Sequence, residues 1–146
     1  MGLQADGMIA PCRSVDVEVT TTATPIVPPN TAAMQITVTL LNRMDFACAL
    51  TKLGCPHSDL YAEVINAVGA AVWTSGYAVG CPPQYRLAPT TVASHSLVKA
   101  TEVWNLSDCG PAYGCAATPA AAGVYRARGI SESLGVSSES ASFTVS

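Results

Sequence analysis

Apolar and polar residues alternate along much of this chain with a period of two, the pattern of a strand that buries one face. Val15-Asp16-Val17-Glu18-Val19-Thr20 places Val inward and acid or Thr outward. Met34 to Leu40 repeats the pattern and predicts a second strand that carries Ile36 and Val38 on its core face. Asn42-Arg43-Met44-Asp45 reads as a turn, and Phe46 to Leu50 as a further strand. Leu60 to Ile65 and Ala70 to Thr74 predict a hairpin closed by Asn66-Ala67-Val68-Gly69. Val92 to Trp104 predicts one long or two short strands, Gly123 to Gly129 another, and Ser142 to Val145 the last. On the strand at 123–129, Val124, Arg126 and Arg128 share one face and Tyr125 and Ala127 the other.

Pro and Gly punctuate these runs, while Lys and Glu are sparse. The reading is all-β: an immunoglobulin-like β-sandwich of about seven to nine short antiparallel strands. Residues 1–14 form an irregular N-terminal arm, and 15–146 a single domain. Neither an internal repeat nor a second domain is visible. Trp73, Trp104, Tyr125, Ile36 and Val38 are the candidate core residues, because sandwiches bury large rings and branched side chains between their sheets. An interface anchor is the alternative role for Trp73 and Trp104.

Charge narrows the functions. The net charge is −3, with seven basic residues scattered along the chain, which makes no footprint for nucleic acid. Charged residues are 12% of the chain, half of the usual share of about 25%. Either the surface is neutral and rich in Thr and Ser, or partner subunits cover much of it. No apolar run reaches membrane-spanning length, so membrane insertion is not expected.

Six cysteines, Cys12, Cys48, Cys55, Cys81, Cys109 and Cys115, suit a disulfide framework and an oxidising, extracellular setting. Proximity in sequence pairs Cys48 with Cys55 and Cys109 with Cys115, leaving Cys12 for Cys81. The first residues lack the basic start and long apolar run of a secretory leader. The expectation is therefore a mature chain, or one released without a leader, as virion proteins are by lysis.

Leu41-Asn42, Leu60-Tyr61-Ala62-Glu63-Val64, Gly69 with Val72-Trp73, Leu87-Ala88-Pro89, Val103-Trp104 and Gly123-Val124-Tyr125 follow one another in a suggestive order. This order resembles the BsuPI-type intracellular proteinase inhibitor family, a bacterial immunoglobulin-like β-sandwich. The resemblance spans roughly residues 34–130. It departs from the family in lacking a Gly after Pro89, in Ala-Gly for Pro-Gly before Tyr125, and in the added cysteines. It implies the sandwich fold and, for the founding members, protease inhibition, but transfers no inhibitory residue.

No catalytic, cofactor or metal site is predicted. His57 and His95 are the only histidines, and neither lies in a nucleophile motif. Cys55 and His57 with Cys48 or Cys81 could ligate zinc, but the paired short spacings of such sites are missing. Asp16, Glu18, Glu63 and Glu102 read as solvent-facing. The loops at 77–90 and 105–122 are long enough to be functional. The chain therefore reads as non-catalytic. Its first role is a decoration or building subunit of an extracellular assembly, such as a phage capsid or surface filament, with copies of itself or a surface lattice as partners. Its second is a secreted or periplasmic protease inhibitor or other binding module.

Overall fold

In a computed structural model the protein is all-β, and residues 9–25, 33–50, 59–75, 90–106 and 119–146 are described. The strands are β1 (Val17–Pro25), β2 (Met34–Asn42), β3 (Cys48–Leu50), β4 (Leu60–Asn66), β5 (Ala71–Thr74), β6 (Thr90–Val92), β7 (Leu97–Trp104), β8 (Gly123–Ser131), β9 (Val136–Glu139) and β10 (Phe143–Val145). All strand pairs are antiparallel. One sheet has the order β1-β2-β7. The other runs β10-β8-β4-β5, with β9 also on β8, and β3-β6 forms a short ribbon.

Alternation explains how the two larger sheets close on each other. Ile36, Val38 and Leu40 of β2 are fully buried and share one core with Leu60, Ala62 and Val64 of β4 and Tyr125 and Ala127 of β8. At Gly129 of β8 the opposite sheet comes close. A Cβ there would collide with the Thr21 hydroxyl and lie 2.6 and 2.8 Å from the two Val38 methyls, so only glycine fits without displacement. Thr21 also ties the sheets at their margin, its hydroxyl 2.7 Å from the Ser138 hydroxyl. At one end Trp104, Tyr125 and Phe143 form an aromatic cluster, with Trp104 5.5 Å from Tyr125 and 6.1 Å from Phe143 between ring centroids. The candidate core residues Ile36, Val38, Trp73, Trp104 and Tyr125 are all buried.

The last strand is broken into two. β9 pairs with Arg128–Ser131 and β10 with Gly123–Tyr125. Between them the Ser140 hydroxyl accepts from the Ala127 amide at 3.0 Å, replacing a carbonyl in the ladder. The sequence pattern had announced β10 but not β9, because Val136-Ser137-Ser138-Glu139 offers a single apolar residue to alternate.

Several expectations are corrected. The arm is tied to the body, as expected, but at β3: Pro11 bridges Ala49 in parallel, with Cys12 N–H donating to Ala49 O at 2.8 Å and Ala49 N–H to Ala10 O at 2.9 Å. That parallel pairing brings Cys12 beside Cys48, and these two form a disulfide with Cα atoms 4.8 Å apart. The Cys48–Cys55 and Cys12–Cys81 pairings are thereby overturned. Nearness in sequence misled, because β3 presents Cys48 to the arm and not along its own chain. The proposed Cys109–Cys115 bridge and His57 lie outside the described residues. Val15 does not point inward. It sits in a one-turn 3-10 helix, Ser14–Asp16, and is 71% exposed. Glu102 shares the core-facing side of β7 with Trp104 and is half-buried, so it is not a solvent-facing residue.

Candidate functional site

The buried polar side chains hold the backbone in place. The Asn42 side chain, fully buried where β2 ends, donates to the carbonyls of Phe46, Val92 and Ala93 at 3.0, 3.1 and 3.2 Å. Its own carbonyl accepts from Met44 N–H at 2.9 Å. One side chain therefore fixes both crossings from the β1-β2-β7 sheet to the β3-β6 ribbon. Asp59, 2% exposed, accepts from the Ser131 hydroxyl at 2.6 Å and Ser133 N–H at 2.9 Å, closing the β8–β9 turn. Such bonds satisfy buried polar groups and leave them little freedom for chemistry.

The outer faces differ from each other. On β4, β8 and β9 an ion-pair chain runs across the sheet: Arg128 lies 3.2 Å from Glu63 and 3.6 Å from Glu139, and Arg126 2.8 Å from Glu139. Arg126 and Arg128 thus pair within the protein. Nearby, partial burial and then the charges of Glu63 and Glu132 push the Tyr61 phenol above its ordinary pKa. On β1, β2 and β7 the outer face is threonine-rich, with Thr22, Thr37 and Thr101 in one cross-strand row and Thr20 and Thr39 in the next.

The end of the molecule around Asn42 is different in character. Leu97 lies opposite Leu41 in the register, next to Asn42. Val15 lies beside Arg43, whose guanidinium donates to Val15 O at 3.5 Å. Phe46 follows in the turn that Asn42 holds, and Ile9 leads into the arm strand beside β3. Ile9, Val15, Phe46 and Leu97 are 40%, 71%, 49% and 61% exposed. They are four of the seven large exposed apolar side chains among the described residues, the others being Val68, Val103 and Val124.

Charged or titratable residues stand beside three of these in the chain: Arg13 and Asp16 by Val15, Asp45 before Phe46, and His95 two residues before Leu97. Arg13 pairs with Asp16 at 2.6 Å, a hydrogen bond and charge that raise the Arg13 pKa. His95 Nε2 lies 2.7 Å from Asp45 Oδ1, spanning the two turns. Arg43 is exposed and has no carboxylate partner among the described residues. The described residues of this end thus mix exposed apolar side chains with charges of both signs. Sequence reasoning missed it, because the residues come from four separate segments and Val15 alternates as though buried. Of the sites considered earlier, the structure places Asp16 and His95 here. The loops at 77–90 and 105–122 lie mostly outside the described residues, and those described hold no group of three or more His, Cys, Asp or Glu suited to a metal ion.

No protein-family model matches the chain, and no curated protein matches it. A solved structure, the X-ray structure of Northeast Structural Genomics Consortium target SoR45, is similar at 15% identity and a TM-score of 0.38. The match covers 90% of this chain and 87% of that one. A likeness this loose carries no argument about function.

Proposed function

We propose that this protein is a non-catalytic subunit of an extracellular assembly, such as a virion surface or a surface filament, built on an immunoglobulin-like sandwich. Two features support the finer fold. The chain crosses between sheets from β2 through β3 to β4 and again from β7 to β8, so neighbours in sequence part and β8 returns beside β4. The Tyr125 hydroxyl donates to the carbonyl of Ala121, four residues upstream, as the corner tyrosine of such sandwiches does.

The observation that carries the function is the apolar, charge-rimmed end around Asn42. The Cys12–Cys48 disulfide supports an oxidising setting. The placement of Asn42, Asp59, Thr21 and Ser140 supports a scaffold, since each holds backbone or joins the sheets. Sedimentation velocity on the oxidised chain tests the proposal. Species heavier than one chain that grow with concentration are expected. A single monomeric species at every concentration, together with turnover of a substrate or inhibition of a protease, would overturn it.

A further inference from the structure

We infer that the end around Asn42 binds a second copy of this chain across a two-fold axis, with Arg43 of each copy facing Asp45 of the other; this rests on the assembly reading above. The signs of the charges point to a second copy. The rim carries two guanidiniums, Arg13 and Arg43, and two aspartates, Asp16 and Asp45, with His95 against Asp45. A partner of one sign would set like charge against half of this rim. A second copy, rotated by a two-fold, can offer each sign its opposite, because a closed two-fold contact uses one self-complementary patch on both sides.

Within the rim, Arg43 and Asp45 are the pair most available for this. Arg13 and Asp16 already satisfy each other at 2.6 Å. Arg43 holds only the Val15 carbonyl, at 3.5 Å. Asp45 is 95% exposed beyond its contact with His95. The two lie in the same turn with one residue between them, so a two-fold axis near Met44 would bring each to its counterpart. The exposed apolar side chains of Val15, Phe46 and Leu97 would then be covered together.

Charge reversal in the oxidised full chain tests this, with the mass read by light scattering over a concentration series and folding checked by near-ultraviolet circular dichroism. R43E alone and D45R alone are each expected to weaken the dimer by about tenfold or more. The double variant R43E/D45R restores opposite signs across the two-fold, and the dimer should recover. L97N, on the neighbouring strand, should weaken it without recovery by either charge change. A dimer unaffected by R43E, or singles that weaken it while the double fails to rescue, would overturn the two-fold contact and leave assembly by another surface standing. A monomer at all concentrations would overturn the two-fold contact; the assembly reading would fall with it only where the same chain also turns over a substrate or inhibits a protease.

Discussion

At the scale of single residues, Asn42 shows what one buried amide can organise. Its four hydrogen bonds join the end of β2, the turn before β3 and the turn after β6. Asn42→Ala would leave the Val92 carbonyl buried without that donor. We expect a loss of about 3 kcal/mol, from several bonds worth about 1 kcal/mol each, measured by denaturant unfolding. A loss within error of zero would mean that water replaces the side chain. The sequence marks Asn42 as the first residue of a turn, but it is the last residue of β2, paired with Val17, and its side chain faces inward. Gly129 is similar. It reads as the end of a strand, and its need for a missing Cβ becomes visible only when β2 lies across it.

At the scale of elements, strict alternation was the reliable signal. The runs at 34–40, 60–65 and 123–129 become β2, β4 and β8, the strands that line the core. Alternation failed where local chemistry took over. Val15 follows the rhythm yet lies in a 3-10 turn fixed by Arg13 and Asp16. Glu102 follows it as well, but on the inward side of β7. An inward charge there suits a strand with no neighbour beyond it among the described residues, because it discourages stray pairing. The arm was the least legible element, since parallel pairing with β3 joins segments 36 residues apart at the disulfide. That bridge closes a long loop, so C12S/C48S should lower stability by roughly 2–4 kcal/mol. It should also expose the arm to proteolysis before the sheets open. If the arm stays protected, its two backbone bonds and the burial of residue 12 suffice to hold it.

At the scale of the whole molecule, the two outer sheet faces and the Asn42 end divide the surface into three chemistries. One face is closed by an Arg–Glu ion-pair chain. One is a threonine surface with a single cation, Lys99, among the described residues on it. Among the described residues, exposed Ile9, Val15, Phe46 and Leu97 lie toward the Asn42 end, where the Arg13–Asp16 and Asp45–His95 pairs also lie. Low charge in the sequence left two readings open, a neutral surface rich in Thr and Ser or one covered by partner subunits; the threonine face fits the first, and the proposed contact at the Asn42 end rests on the second. The most direct test of the account is backbone hydrogen exchange of the oxidised chain at high and low protein concentration. Slower exchange is expected at high concentration in residues 13–16, 41–46 and 93–97, with unchanged exchange along β1 and in Thr37 and Thr39 of β2. Equal exchange at both concentrations, or protection on the threonine face instead, would contradict it.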